Sequence, residues 1–434
     1  MKQLKFRTIF ISFFTLCLCF GMVFLLGSYV VDGDYWAAHR SAGSVTKGTI
    51  TDRNGQLLYD FSNGSYSDDY EIRVSTVHAV GDKVGSIANS AKSKLVGSQS
   101  SFNIITGISS KDTSLQLTLD ANLNARALEL LDGRKGVISL YNYKTGDILC
   151  MLSAPCFDPT DSEVIKAINE GSEKYQGAYV NRFFSSTYTP GSTFKVVTTA
   201  AALETMKHVE EFSFSCDSDL SYGDDSVTCP STHGTVDLWE ALGKSCNGAF
   251  ATLANEIGGK TVEEYAKKAG LLSPMEVNGI KTAAGSFTVS KSAIEEGWSG
   301  VGQYKNLVNP CSEMTLMGCI AMDGTAASPS LIPTTKKTMK QASIDWKPST
   351  CETVREMMRN NVVNHYGQSK FGELPVCAKS GTAEVGSDSP HAWFVGFVDS
   401  EEYPYAFVVM VEHGGWGSST AGGIAAELLR AACE

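Results

Sequence analysis

The chain has 434 residues, of which 43% are hydrophobic and 19% are charged. Its 47 acidic residues outnumber its 36 basic residues, which gives a formal net charge of -11. The hydrophobic fraction is too high for an intrinsically disordered chain, and the acidic balance excludes the basic surface that nucleic-acid binding requires. We therefore expect a folded protein without a nucleic-acid partner.

The N-terminal region contains a long apolar stretch, residues 8–31, with no charged side chain. As a helix this stretch would extend for about 36 Å, and the hydrocarbon core of a bilayer is about 30 Å thick. It does not end in the small residues that mark a signal-peptide cleavage site. Lys2, Lys5 and Arg7 all precede it. This arrangement predicts a cytoplasmic tail over residues 1–7, a single transmembrane helix over residues 8–31, and an extracytoplasmic body held at a membrane.

A small N-terminal domain and linker are predicted over residues 32–114. Residues 47–58 have the pattern of two short strands separated by an Asn-Gly turn. Residues 85–114 are rich in Ser, Gly and Lys, which is typical of a loop-rich boundary. The small domain is therefore expected to be β-rich, and the main domain is expected over residues 115–434.

Strand patterns occur at both ends of this main domain. Residues 136–152 predict a hairpin, and residues 391–398 and 405–412 predict two apolar strands before a closing helix over 421–433. The segment from about residue 161 to 356 is mostly helical in pattern. This order predicts an α+β fold, an α/β sandwich in which a mostly antiparallel sheet carries helices on both faces and an inserted helical subdomain.

The first candidate catalytic motif is Ser192-x-x-Lys195, which follows a Pro-Gly turn and opens a very apolar helix. Residues three apart share one helical face, so the lysine is expected beside the serine. A serine hydroxyl needs a base to become a good nucleophile, and an amine can act as that base only when it is neutral. Burial, the helix N-terminus and a second lysine would each lower the lysine pKa. The same four-residue pattern at residues 44–47 precedes no apolar helix and predicts no site.

A second motif is Ser245-Cys246-Asn247. Alternate residues of an extended segment point the same way, so the hydroxyl and the amide are expected to face the site while Cys246 turns away from it. A hydroxyl in this position can relay a proton, and an amide can hold a polar group of a substrate. The motif therefore predicts a second wall of the active site.

The third motif, Lys379-Ser380-Gly381-Thr382, leads into the C-terminal strands. Lys379 offers a cation for a carboxylate, and Ser380 and Thr382 offer hydroxyl groups. Gly381 is expected to let a substrate backbone lie close against the strand. The segment therefore predicts a substrate-binding edge.

These three motifs, in this order, resemble the signature of penicillin-recognising serine acyltransferases. From residue 47 onward the chain resembles a class B penicillin-binding protein. The resemblance implies a peptidoglycan D,D-transpeptidase that acts on stem peptides ending in D-Ala-D-Ala and is inhibited covalently by β-lactams. It also implies a polytopic cell-wall glycosyltransferase as a partner, and no cofactor. Three alternatives stay open, namely a D,D-carboxypeptidase, a β-lactamase-type hydrolase and a β-lactam sensor.

The resemblance also assigns roles to individual residues. It implies that Ser192 accepts the acyl group, that Lys195 is its base and that Ser245 relays a proton to the leaving amine. The backbone N–H groups of Ser192 and Thr382 are expected to form the oxyanion hole. The residues assigned to substrate binding are Asn247, Lys379, Ser380, Gly381 and Thr382.

Cysteine and histidine residues give no metal-binding pattern in the sequence. Ten of the twelve cysteines lie beyond the apolar stretch, and none forms a Cys-x-x-Cys pair. Cys216 and Cys229 enclose a polar loop, and both a disulfide and two free thiols remain open for them. For His233, His365 and His391 we expect ordinary hydrogen bonds, and we expect no metal site.

Overall fold

A computed structural model describes residues 2–31, 48–96 and 114–434 of the chain. The Ser-x-x-Lys copy at residues 44–47 and parts of the predicted small domain and linker (residues 32–47 and 97–113) lie outside these ranges. The first element is helix α1 (Lys2–Val31), so the predicted helical conformation of residues 8–31 is confirmed. No helix in the three described ranges is long and apolar enough to cross a membrane, and the prediction of a transmembrane helix is not borne out.

The other elements alternate between short strands and helices. The strands are β1 (Thr49–Thr51), β2 (Leu57–Asp60), β3 (Ser65–Tyr66), β4 (Leu115–Gln116), β5 (Gly136–Asn142), β6 (Ile148–Ala154), β7 (Phe214–Cys216), β8 (Asp219–Tyr222), β9 (Asp225–Thr228), β10 (Gly234–Val236), β11 (Glu276–Val277), β12 (Ile280–Lys281), β13 (Thr325–Ala327), β14 (Gln341–Ser343), β15 (Val376–Val385), β16 (Asp388–Val398) and β17 (Tyr405–Val411).

The helices after α1 are α2 (Tyr70–Ser75), α3 (Val77–Val80), α4 (Ala121–Leu131), α5 (Ser162–Asn169), α6 (Arg182–Ser185), α7 (Lys195–Thr205), α8 (Leu238–Gly243), α9 (Asn247–Ile257), α10 (Gly259–Lys268), α11 (Ala293–Val301), α12 (Pro310–Ala321), α13 (Pro348–Asn361) and α14 (Thr420–Cys433). Short 3-10 turns occur at Glu173–Tyr175, Gly191–Phe194, Val209–Glu211 and Gln368–Phe371, and π-helical turns occur at Ala91–Val96 and Val362–Gly367.

The centre of the main domain is a five-stranded antiparallel sheet in the order β15-β16-β17-β5-β6. Strand β5 comes from the start of the main domain and β17 from its end, and the two pair directly. The predicted hairpin and the two predicted C-terminal strands are confirmed. The sheet therefore joins both ends of the domain, as the order of the sequence patterns predicts.

Both faces of this sheet are covered by helices. In β17, Val408 and Met410 belong to one core together with residues of α12, whereas Phe407 and Val409 belong to the other core together with residues of α4 and α14. A strand that is buried on both faces has to be apolar at nearly every position, and this explains the uninterrupted apolar pattern of β17. The mixed α+β architecture, with an antiparallel sheet and helices on both faces, is confirmed.

The segment between β6 and β15 contains most of the other helices and positions the functional residues. Residues 195–202 of α7 are all buried, so this helix runs through the core. Strands β7 to β10 form two small antiparallel pairs, β7 with β10 and β8 with β9. Helix α7, the turn before α9 and strand β15 meet at one edge of the main sheet.

The described part of the N-terminal region packs directly onto the main domain. Strands β3, β2, β1 and β4 form one sheet, in which β4 pairs with β1 in parallel. The expected hairpin around the Asn-Gly turn is confirmed by the antiparallel pairing of β1 with β2. Arg73 in α2 forms two hydrogen bonds to Asp158 of the main domain.

Candidate active site

Residues of all three predicted motifs line one cleft of about 510 Å³. The motif residues on its wall are Ser192, Ser245, Asn247, Ser380 and Thr382. Lys195 and Lys379 lie beneath this wall, and both are fully buried. The three sequence segments therefore come together in space although they are far apart in the chain.

Ser192 lies in a short 3-10 turn, Gly191–Phe194, and the α-helix begins only at Lys195. The sequence predicted a helix opened by Ser192 itself, so the local geometry is tighter than expected. Gly191 has φ +57°, and a Cβ on it would lie 2.8 Å from the carbonyl oxygen of Thr382. Only glycine fits this left-handed position beside the strand without strain.

Gly381 allows the same close contact from the side of the strand. A Cβ at this position would lie 2.8 Å from the carbonyl oxygen of Pro190 and 2.9 Å from the methyl group of Thr193. The glycine is therefore needed to seat the serine turn against β15. Its expected use, to let a substrate backbone approach, remains a prediction.

Lys195 Nζ is surrounded by oxygen atoms of the second motif. It donates to the carbonyl oxygen of Ser245 at 2.6 Å, to Ser245 Oγ at 3.2 Å and to Asn247 Oδ1 at 2.7 Å. Burial, and then the charge of Lys379, hold the pKa of Lys195 well below its usual value. The amine is thus disposed to be neutral. Among the described residues, the Ser192 hydroxyl has no hydrogen-bond partner.

Lys379 contacts the same Ser245 hydroxyl as Lys195. Its Nζ donates to Ser245 Oγ at 3.1 Å, to the carbonyl oxygen of Ser380 at 2.8 Å and to the Tyr366 hydroxyl at 3.4 Å. Burial lowers the pKa of Lys379 to about 7. Ser245 Oγ therefore lies between two buried amines that contact it at nearly equal distances.

The turn that carries Ser245 and Asn247 is held by its own backbone and side chains. Ser245 has φ +58°, a left-handed conformation that is strained for a residue with a side chain. Cys246 caps helix α9 by accepting from the Ala249 N–H group, and Asn247 is the first residue of that helix. Asn247 Nδ2 donates to the carbonyl oxygen of Thr228 at 2.7 Å. Both ends of the Asn247 amide thus bind groups of this chain.

The substrate-binding edge contains a tyrosine that the sequence reasoning missed. The Tyr366 hydroxyl accepts from the Ser380 N–H group and from Ser380 Oγ, both at 3.2 Å. Tyr366 lies in the π-helical turn that follows α13, and no motif surrounds it in the sequence. Trp416 and Glu384 also line the cleft and were not singled out. His365, for which we expected an ordinary hydrogen bond, lines it too, and its buried Nε2 has no hydrogen-bond partner among the described residues.

A cluster of three cysteines and one histidine adjoins this wall, and it corrects the interpretation of these residues. Cys216, Cys229, Cys246 and His233 bring their sulfur and nitrogen atoms within 4.8 Å of one another. The sequence gives His233 no cysteine at a metal-ligand spacing, but strand pairing and the turn before α9 bring three cysteines that are distant in sequence close to it. The Cys216–Cys229 disulfide is not formed, and all cysteines of the described residues are free thiols.

A serine turn in a mixed α+β domain, two buried lysines and a Ser-x-Asn turn together define the class of penicillin-recognising serine proteins. Residues 136–434 match the family model described as the penicillin binding protein transpeptidase domain. The chain therefore belongs to this family, and the resemblance seen in the motifs is confirmed.

Individual relatives agree with this assignment. The chain is similar to the peptidoglycan D,D-transpeptidase PbpA of Mycolicibacterium smegmatis, with 31% identity over 324 residues that cover 68% of this chain and 66% of the relative. Stage V sporulation protein D of Bacillus subtilis is 27% identical over 70% of this chain and 49% of its own length. The chain thus spans just under two thirds of the length of the PbpA relative that it matches.

Solved structures share the fold at lower identity. Penicillin-binding protein A of Mycobacterium tuberculosis, solved as a ceftriaxone acyl-enzyme complex, superposes with a TM-score of 0.74 and 23% identity, covering 92% of this chain and 99% of that one. Penicillin-binding protein 2 of Helicobacter pylori, solved in complex with MreC, gives a TM-score of 0.67 at 21% identity, covering 74% and 64%.

Proposed function

We propose that this chain is a peptidoglycan D,D-transpeptidase that forms an acyl-enzyme on Ser192 and is inhibited covalently by β-lactams. The observation that carries the proposal is the Ser245 hydroxyl, which lies between Lys195 and Lys379 in the cleft that Ser192 lines. Family membership and the names of the PbpA relatives support the same activity.

In the acylation step, Ser192 Oγ attacks the carbonyl carbon of the penultimate D-Ala of a stem peptide. The neutral amine of Lys195 takes the hydroxyl proton, for which it has to exchange one of its present hydrogen bonds for one to Ser192; such catalytic hydrogen bonds often tighten only when substrate is bound. The backbone N–H groups of Ser192 and Thr382 would stabilise the oxyanion. The peptide C–N bond then breaks, and Ser245 passes a proton from Lys195 to the leaving D-Ala amine.

In the second step an acceptor amine from a neighbouring strand attacks the acyl carbon, and Ser192 leaves with a proton returned along the same route. Lys379, Ser380 and Thr382 would bind the terminal carboxylate of the donor peptide, because they combine a cation with two hydroxyl groups at the edge of the cleft. Asn247 would hold a substrate amide by exchanging one of its present partners.

Labelled penicillin tests the acylation step. We expect the purified protein to form a long-lived covalent adduct on the peptide that contains Ser192, as identified by mass spectrometry, and Ser192→Ala to abolish it. The matched control is Ser186→Ala, outside the cleft, which should acylate normally. Rapid drug hydrolysis with little adduct would favour a β-lactamase-type hydrolase, and adduct formation without any peptide turnover would favour a β-lactam sensor.

The same preparation distinguishes transpeptidation from carboxypeptidation. With peptidoglycan strands as donor and acceptor, we expect cross-linked dimers that disappear in Ser192→Ala. Trimmed monomers alone would show that water replaces the amine, and the enzyme would then be a D,D-carboxypeptidase.

We also infer that the domain works outside the cytoplasm and that α1 associates with the bacterial membrane. The support lies in the apolar side chains of α1, of which Phe10, Phe13 and Phe20 are each more than 60% exposed. Such a surface is stable only against an apolar partner. A polytopic glycosyltransferase is the partner that we propose there, and in-cell cross-linking from α1 would identify it.

A phosphatase fused after Glu434 tests the location, since this reporter is active only outside the cytoplasm. We expect activity from the full chain and its loss when residues 1–31 are deleted. A second reporter, which is active only inside the cytoplasm, serves as the opposite test. If it were active when fused after Glu434, the proposal would be contradicted.

A further inference from the structure

The cluster of Cys216, Cys229, His233 and Cys246, here called the Cys-His cluster, has no part in the acyl transfer proposed above. The four residues come from separate elements. Cys216 ends β7, Cys229 follows β9, His233 precedes β10 and Cys246 caps α9. Pairing of β7 with β10 sets Gly234 opposite Cys216, and this brings His233 beside the first cysteine.

The distances within the cluster match the edges of a metal-centred tetrahedron. Cys229 Sγ and Cys246 Sγ are 3.8 Å apart, and Cys216 Sγ is 3.4 Å from His233 Nδ1. Bonds of about 2.3 Å from zinc to sulfur and about 2.0 Å to nitrogen give tetrahedral edges of roughly 3.8 Å and 3.5 Å. A disulfide would require the two sulfur atoms to be about 2.05 Å apart, and it would use only two of the four groups.

Backbone N–H groups point at the sulfur atoms, as they do around metal-bound thiolates. Cys229 Sγ accepts from Asn247 N at 3.1 Å and from Gly248 N at 3.5 Å. Cys246 Sγ accepts from Ala249 N at 3.5 Å. These donors lie at the N-terminus of α9, where the helix dipole also favours negative charge. The surroundings therefore suit anionic sulfur.

The segment that carries the cluster has little hydrophobic core of its own. Half of the residues of strands β8 and β9 are exposed, and Val227 is their one buried residue. A small β unit of this kind commonly needs a metal or a disulfide for stability. A metal bound by four residues from four elements would fix the whole segment against α9.

We propose that the Cys-His cluster binds one zinc ion in a tetrahedral site of three sulfur ligands and one nitrogen ligand. Zinc is favoured over magnesium or calcium because those ions take oxygen ligands. The site holds the turn of the second motif, because Cys246 lies between Ser245 and Asn247 and the Asn247 N–H group binds Cys229 Sγ. The metal is thus a structural support for the catalytic wall and not a reactant.

Metal analysis of the purified full-length chain tests the proposal. We expect about one zinc ion per chain, since structural zinc is bound tightly at neutral pH. Exchange for Co²⁺ should give the thiolate-to-cobalt charge-transfer band and the visible bands of a tetrahedral site. A chain without zinc that also gives no such bands with Co²⁺ would overturn the proposal, and so would a Cys229–Cys246 disulfide found by mass spectrometry.

Variants locate the metal. We expect Cys216→Ala and His233→Ala to lose zinc, whereas Cys319→Ala, a control at another buried free thiol, should retain it. Unchanged zinc content in both cluster variants would place the metal elsewhere and contradict the site.

Wild-type protein gives a test that does not depend on the folding of variants. A mercurial reagent that reacts with thiols should release zinc in step with modification of the three cluster cysteines, as mapped by mass spectrometry. Zinc release without modification of these cysteines would contradict the proposal. If protein that contains zinc failed to react with penicillin, the proposed acyl transfer would be contradicted, but the zinc site would not.

Discussion

At the scale of single residues, the burial of two lysines that contact one hydroxyl sets the protonation state of the site. Lys195 Nζ and Lys379 Nζ contact this oxygen at 3.2 and 3.1 Å. Two ammonium ions so close together and fully buried would repel each other and lose their hydration. Lys195 carries the larger effect, because its pKa is lowered by burial and by the charge of Lys379. This division leaves one neutral base and one cation.

A neutral Lys195 beside a charged Lys379 predicts how acylation depends on pH. Lys195 is neutral above its lowered pKa, whereas Lys379, with a pKa of about 7, loses its charge as the pH rises. We therefore expect the second-order rate of acylation by an anionic penicillin to fall as the pH rises through about 7. The rate constant is measured from adduct formation in buffers of constant ionic strength.

A penicillin ester without the carboxylate is the control for this pH dependence. It should lack the falling limb, because the charge on Lys379 has no anion to attract. If the ester and the acid gave the same profile, binding of the carboxylate by Lys379 would be contradicted.

At the scale of secondary-structure elements, the sequence predicted the parts of the fold that follow a period. Strands β5, β6, β16 and β17 of the main sheet lie in apolar runs bounded by turns. Helix α4 begins after Asp120, which accepts from the Asn122 and Leu123 N–H groups. Turn geometry was less predictable. The 3-10 turn at Ser192 depends on contacts with β15, because Gly191 and Gly381 each fit against the backbone of the other segment.

The candidate site was also only partly predictable from the sequence. The three motifs were visible because each has a short fixed spacing, and the structure brings them to one cleft. Tyr366 and the Cys-His cluster have no such spacing. Their neighbours come from pairing between strands and from the packing of α13 beside β15, so a search along the sequence for ligand spacings could not detect them.

At the scale of the whole molecule, one ion pair ties the N-terminal region to the main domain. Arg73 Nε and Nη2 donate to Asp158 Oδ2 at 2.9 and 2.7 Å, and only 18% and 9% of the two side chains are exposed. Burial alone would raise the pKa of Asp158, but hydrogen bonds from Arg73 and Thr160 outweigh it and lower the pKa. The pair therefore stabilises the folded state when Asp158 is ionised.

Replacement of Arg73 by alanine tests this junction. We expect Arg73→Ala to lower the free energy of unfolding by about 2 kcal/mol at pH 7, the usual size for hydrogen bonds to a charged group. A carboxyl whose pKa is depressed on folding adds stability above its unfolded pKa of about 3.9 and loses it as the pH falls through its folded pKa. The difference between variant and wild type should therefore shrink below about pH 4.

Arg126→Ala is the matched control, because Arg126 pairs with Glu129 at the surface and 36% of its side chain is exposed. Exposed pairs contribute between about 0 and 1 kcal/mol, so this variant should change stability little at any pH. Denaturant unfolding at pH 7 and pH 4 measures both variants. If Arg73→Ala and Arg126→Ala lowered the free energy of unfolding equally at pH 7, the junction would depend on the apolar contacts around α2 and not on this ion pair.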